Sequence, residues 1–510
     1  MKLIQLSKNG NSHKYLLFAL LMFIVSCGEV KNDKQKEIIV TKVGDRTISL
    51  TEFIQRAEYT IRPAYCNGDN NIHKKIILNS LIAEKMLALE ASEIEDLDQK
   101  NSFHMYVQGR REQAMREWLL HQEGFQKVQL EESELQEAYS KAGRTYNVQY
   151  VNIPDDSLAA ILKEKDLDKQ GMFEAVHQQL WQGEEIPGRE VEWNSQEHPQ
   201  ILKALFSDST DKDRVIGPVK IGDNDHIMLK VVGWTDDFDV TEKERKERWN
   251  SIKEQLTNDK AYQLFDKFVV DVMEGKKLDF DRQTFNEMVK LLGPLYMRSP
   301  EEKRELFLNA AFDQAEENPE LDHLANGIDA ILDKSFFHVG DRIWTVRDFK
   351  EELQKHPLVF RKNLPEDTKF AEHFRLAIVD LVRDRYLTEE AYERGYQDVD
   401  FVKRNTQMWH DALLAQYQTS QYLKKTITNP SDSLAALTVI EDYLNPYVDK
   451  LQKKYSDRIQ VNVEQFNDIR LTRVDMIVMQ NNRPFPVMVP GFPQLTTDHE
   501  LDYGKKMITD

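Results

Sequence analysis

The feature that most limits how this chain can fold is a phrase written twice. VGDRTISLTEF occupies 43–53 and VGDRIWTVRDF occupies 339–349, 296 positions downstream. In each copy two β-type runs flank a Gly-Asp pair that tolerates positive φ, the grammar of a tight hairpin. Ser49 precedes Glu52 by three residues and Thr345 precedes Asp348 by three, so each hairpin feeds a capped helix. The match continues at an offset of 300, pairing Leu81 with Leu381, Ile82 with Val382, Glu84 with Asp384, Lys85 with Arg385 and Leu87 with Leu387. A four-residue insertion in the loop between reconciles the two offsets. A further long helical stretch follows in each copy. Then KLDFDRQTFNEM (277–288) resembles RIQVNVEQFNDI (458–469) at an offset of 181, each preceded by a helix. Ordered recurrence of hairpin, cap, helix and return strand is an internal duplication. The first copy holds 119 more residues than the second between outgoing and returning helices, which is the size of a small inserted domain.

The surplus is assigned to 143–236, where the sequence changes character. TYNVQYVNI reads as a strand, DDSLAAILKEKD and FEAVHQQLWQG as helices, and HPQILKALFS as a shorter helix. VIGPVKIGD and NDHIMLKVVGW then close as a two-stranded hairpin. The expected fold class is α+β, predominantly helical. A chain of 510 residues with 30% charged and 40% hydrophobic residues has material for several folded domains. Its net charge of −19 argues against nucleic acid as a partner.

The N-terminus carries Lys2, Lys8 and Lys14 and no acid, followed by the apolar run YLLFALLMFIV and then Ser26-Cys27. The run suits a signal-peptide core and is too short to span a bilayer. Its end resembles a bacterial lipobox, which implies cleavage before Cys27 and acylation of that residue. An ordinary signal peptide followed by an unrelated Cys is the other reading. Lipidation would leave Cys66 without a disulfide partner, because the chain has two Cys. The polar residues after Cys27 read as a tether.

The order β-α-α-(α)-β-β, with Leu205-Phe206, Gly217-Pro218-Val219 and the strand opening at His226, resembles a parvulin, a small peptidyl-prolyl isomerase domain. The flanking modules resemble the helical chaperone domain of SurA-type and PrsA-type periplasmic foldases. The resemblance implies two SurA-like helical modules with β-hairpins, the first carrying a parvulin-like insert. On that reading, 1–26 is a lipoprotein signal peptide, 27–37 a tether and 38–142 the first module. Residues 143–236 are the insert and 237–292 the return helix and strand of the first module. A helical linker follows at 293–335, then the second module at 336–470 and a Pro-rich tail at 471–510.

Parvulin catalysis uses paired His on the first and last strands, with nearby hydroxyls and a Cys or Asp. The last-strand His is His226. The first-strand His falls on Tyr150, or on Gln149 with a register shift of one. The hydroxyl positions fall on Ile221 and Asp223, and the Gly-rich stretch on GREVEWN, which keeps Gly188 but has Glu192 where a Gly is usual. His226 is thus the tentative catalytic residue and Tyr150 a degenerate position, so isomerase activity is expected to be weak or lost. No phosphate loop, nucleophile elbow or zinc-protease motif occurs, no His pair has metal-ligand spacing on one helix face, and no cofactor is expected.

The resemblance implies a lipid-anchored periplasmic chaperone, on the outer membrane, that binds unfolded secreted or outer-membrane chains. An active isomerase and a structural subunit of an envelope assembly or secretion complex are the alternatives. Cys66 reads as a passive loop thiol. Trp118, Trp234, Trp249, Trp344 and Trp409 read as core residues, with room for some in a client groove. The tail, with four Pro between 484 and 493, reads as an ordered strap or as a docking arm.

Overall fold

A computed structural model describes residues 37–92, 101–193, 195, 197–206, 210–222, 224–236, 241–296, 326–361, 369–427, 435–472, 476 and 485–507. The expected signal peptide, Cys27, the tether up to 36, Asp223 and most of the 293–335 linker lie outside these residues.

The chain is predominantly helical with small sheets, an α+β fold. In chain order, β1 (Ile39–Val43) and β2 (Arg46–Ser49) precede α1 (Leu50–Glu58), α2 (Asn71–Ser92), α3 (Asn101–Glu123) and α4 (Glu132–Ala142). Then come β3 (Arg144–Ile153), α5 (Asp156–Lys163), α6 (Met172–Leu180), β4 (Gly188–Val191), α7 (Pro199–Phe206), β5 (Val215–Gly222) and β6 (Asp225–Asp236). The long α8 (Glu242–Met273) leads to β7 (Leu278–Phe280) and α9 (Arg282–Tyr296). The second copy contributes β8 (Ser335–Val339), β9 (Arg342–Thr345), α10 (Val346–Lys355), α11 (Phe370–Glu393) and α12 (Asp400–Thr426). The chain closes with α13 (Asn445–Tyr455), β10 (Ile459–Val461), α14 (Val463–Asp468) and β11 (Lys505–Lys506).

Two compact units result. One combines the chain's outer parts, 1–91, 414–479 and 490–510; the other holds 92–413 with 480–489. Its long middle helix, α12, changes unit at Leu414.

In the outer unit the sheet runs β11-β10-β1-β2. Gly44, at φ +65°, supplies the positive φ that the β1–β2 turn requires. The Ser49 side chain accepts from the Glu52 amide and caps α1 as the sequence indicates. Helix α2 is buried nearly all round, with Ile77, Leu78, Leu81, Ile82, Met86 and Leu87 sealed from solvent and Lys74, Asn79, Glu84 and Lys85 buried among them, so it is the centre of this core rather than an amphipathic cover. Arg56 grips Glu84 through two bonds of 2.8 and 2.7 Å inside it. The tail enters the same core through Phe492 and Leu495. Arg56 also donates to the Gly491 carbonyl, and β11 lies parallel to β10. Residues 490–507 are therefore an ordered strap on the outer unit.

In the middle unit, the strands between Arg144 and Asp236 form a sheet ordered β4-β3-β6-β5, antiparallel throughout, over the segment read from sequence as an insert. A separate sheet, β7-β8-β9, packs a ring-rich core of Phe280, Phe285, Phe336, Phe337, Trp344, Phe349 and Phe374.

The repeated pieces are present, but they pair crosswise. The return strand β7 joins the second hairpin, Phe280 opposite Phe337, and β10 joins the first, Thr41 opposite Val461. Matching bonds close both arrangements. The Gly44 amide donates to the Arg458 carbonyl and the Gly340 amide to that of Lys277. Asn462 donates to Val40, and Asp281 to Phe336. This corrects the assignment of 237–292 to the first module and of the 458–469 return strand to the second. A strand pair needs only a compatible edge, and β1 and β8 each offer a short hairpin edge ending in the same Val-Gly-Asp turn, so local sequence does not say which return strand joins which.

Candidate functional site

The inserted sheet is where the sequence places the candidate site. Between β3 and β6 the register is continuous from Val148 to Ile153, with Tyr150 opposite Leu229 and Ile153 opposite His226; the irregularity of that pair lies between Asn147 and Val148. Side chains alternate between faces along a strand and cross-strand partners share a face. His226 therefore shares a face with Ile153, Val151 and Met228, which α5 and α6 cover through Ala159, Leu162, Phe173 and Val176. Tyr150 faces the other way, onto the core of Tyr146, Val148, Ile227, Leu229, Phe206 and Trp193.

The two candidate residues are thus on opposite sides of one sheet. Ile221 packs against the Tyr150 core. Gln149, opposite Lys230, shares the His226 face but stands four residues along the strand from the position beside His226, roughly 13 Å at the usual rise. No first-strand candidate reaches the histidine.

His226 itself is buried at the start of β6. Its Nε2 lies 3.4 Å from Asp156 Oδ1 at the first position of α5, and Lys220 Nζ lies 3.6 Å from the same oxygen. Asp155, one residue earlier, caps α5 by accepting from the Ser157 and Leu158 amides, and those bonds hold its carboxyl below the usual range. This Asp-Lys-His group is an edge cluster of exposed charge around a covered ring. It supplies no second imidazole and no hydroxyl.

On the other face Arg189 lies 4.7 Å over the Tyr150 ring and pairs with Glu197 at 2.8 Å. Strand β4, which carries Arg189, is an element the sequence reading treated as a Gly-containing stretch. Four residues with two charges carry no period-two signal, and only pairing with β3 defines the strand. Glu192, just beyond, lines a cavity of about 410 Å³ together with Arg144, Trp193, Glu244, Glu247 and Arg248. This polar hollow lies at the base of the insert, where β3 begins and α8 leaves.

Cys66 is buried, and burial pushes its thiol up to about 12 despite the opposing pull of Arg62. It is no activated nucleophile. Trp344 and Trp409 are buried; Trp118 stacks on Phe401, Trp234 under Arg144, and Trp249 tilts against Tyr139. Among the described residues of the insert, Ile161 on α5, Trp181 beyond α6 and Val232 on β6 are substantially exposed large apolar residues, with Trp181 donating to the Asn152 carbonyl. Among the described residues no helix is long and apolar enough to cross a membrane.

No family model, curated protein or solved structure matches the chain.

Proposed function

We propose that this chain is a foldase-like chaperone of the cell envelope, whose parvulin-like insert holds unfolded client chains without catalysing prolyl isomerisation. The observation that carries the reading is the placement of Tyr150 and His226 on opposite faces of the inserted sheet. Prolyl isomerisation faces a barrier of about 18–20 kcal/mol, and a positioned acid–base pair typically contributes about two to four orders of magnitude. A lone covered imidazole cannot supply that pair. The parvulin resemblance is supported by the element order and by the neighbouring first and last strands, β3 and β6. The SurA-like reading is supported by the repeated hairpin-and-cap units. Residues Ile161 and Trp181 are the client-facing candidates on the insert. The lipobox-like residues around Cys27 support a lipid anchor in the periplasm, with unfolded secreted or outer-membrane proteins as clients.

The test uses the full chain. In a prolyl tetrapeptide assay it should leave the exchange rate within about two-fold of the uncatalysed value, while suppressing aggregation of an unfolded outer-membrane barrel at near-stoichiometric ratio. Isomerisation at the level of intact parvulins, lost in His226→Ala, would restore the enzyme. Failure to protect any unfolded chain, with stable co-purification in one membrane complex, would make it a structural subunit instead.

A further inference from the structure

We propose that Glu112, Glu352 and His356 form a binding site for a divalent transition-metal ion of the zinc class. The three are buried in the middle unit, and one ligand atom from each lies within 4.8 Å of the others. Glu112 comes from α3 of the first copy. Glu352 is in the last turn of α10 and His356 caps that helix, one turn apart on one face.

The outer oxygen of Glu112, Oε1, accepts from Gln108 Nε2 at 2.8 Å and from the Tyr392 hydroxyl at 3.1 Å. The outer oxygen of Glu352, Oε2, is held by Arg385 at 3.3 Å and approached by Lys355 at 3.7 Å. The inner oxygens converge on His356 Nε2, Glu112 Oε2 at 2.6 Å and Glu352 Oε1 at 3.7 Å. Glu352 Oε1 accepts no hydrogen bond although the residue is only 5% exposed. A buried carboxylate oxygen without a donor is costly, and this one faces the other two ligand atoms. Donors on the outer oxygens that orient inward ligands are the usual support of a metal site.

The dimensions suit the ion. Zinc bonds to imidazole nitrogen and carboxylate oxygen at about 2.0–2.2 Å, which places neighbouring ligand atoms roughly 3–3.5 Å apart. The observed 2.6 and 3.7 Å bracket that range. Two carboxylates and one imidazole suit zinc and its first-row neighbours, and no thiolate is present to favour softer ions. His356 Nε2 and Glu112 Oε2 lie 2.6 Å apart, a hydrogen-bond contact that a bound ion would replace.

The chain also carries its own internal comparison. At the 296-residue offset, the counterpart of Glu352 is Arg56. There a buried guanidinium answers both oxygens of the Glu84 carboxylate, at 2.8 and 2.7 Å. The second copy has a carboxylate where the first has that cation, so its cluster keeps an inner oxygen unanswered. Gly109 makes the meeting possible: a Cβ there would lie 2.0 Å from the Lys355 carbonyl, so only glycine lets α3 approach the end of α10 this closely.

The experiment is zinc binding to the full, chelator-stripped chain in competition with a chromophoric chelator. About one tightly held ion per chain is expected. Glu352→Gln and His356→Gln should each weaken it at least about 100-fold, and Tyr392→Phe, which removes the hydroxyl that donates to the outer oxygen of Glu112, about 10-fold. X-ray absorption on the zinc-loaded wild-type chain keeps the test independent of variant folding: one imidazole with oxygen donors is expected. Equal zinc retention by wild type and folded variants, no competitive binding by wild type, or a spectrum with sulfur or several imidazoles would overturn the proposal.

Discussion

Arg56 and Glu84 show what a single buried pair does in the outer unit. Both are sealed from solvent, and the guanidinium also donates to the Gly491 carbonyl, so one side chain ties α1, α2 and the C-terminal strap together. Removing one partner strands a charge in the core, which typically costs about 3–5 kcal/mol. Arg56→Met should therefore lower the urea midpoint of the outer unit's transition sharply, and adding Glu84→Leu should recover most of the loss. A single variant as stable as wild type would contradict this account. Cys66 is the second residue-scale case. With its thiol pushed up to about 12 by burial, almost no thiolate exists at neutral pH, and the sulfur is covered as well. Alkylation should be negligible in the native chain at pH 8 and should become complete in denaturant; rapid native labelling, followed by mass spectrometry, would refute it.

Two elements meet in ways that their own sequences do not announce. Helix α3 contains Gly109, an unfavourable helix residue by about 1 kcal/mol relative to alanine, kept at the crossing with the end of α10. Propensity alone says that Gly109→Ala stabilises. Because the new Cβ would fall on backbone, we expect a net loss of about 1–3 kcal/mol, as for overpacked cores. Thermal unfolding of the middle unit reads the sign. The crosswise strand pairing gives the second element-scale prediction. Val461, buried opposite Thr41 in β10, supports the first hairpin. Val461→Asp should abolish amide-exchange protection in 39–49 and leave 335–345 protected. The reverse pattern would restore the contiguous modules expected from the repeat.

For the molecule as a whole, the insert begins and ends at one place. Arg144 pairs with Asp236 across β3 and β6, so excising 143–236 leaves ends that a short Gly linker can join. Ala138 on α4 and Ile252 on α8 lose their partners in the insert's core, which sets a stability cost without removing another core. The deleted chain should remain monomerically folded, with a lower melting temperature and cooperative unfolding followed by circular dichroism. An aggregated or non-cooperative product would show that the insert is part of the scaffold.

Much of this organisation is written locally. The hairpins rest on Gly44 and Gly340, the caps on Ser49 and Thr345, and the short helices α1 and α10 on a 3.6-residue apolar rhythm; each signal sits within a few residues of what it specifies. The insert's strands and helices were legible for the same reason, apart from β4, which exists only through its pairing. Which strand joins which hairpin was decided by tertiary structure, because the duplicated edges offer the same hydrogen-bonding rows and the same apolar face. The face on which Tyr150 falls was decided by register, since a one-residue step along a strand reverses the side chain. Glu112 and His356, 244 positions apart, carry no signal to one another in sequence. They meet at 2.6 Å because the middle unit packs a helix of the first copy against a helix of the second, and such packing depends on the shapes of both surfaces at once.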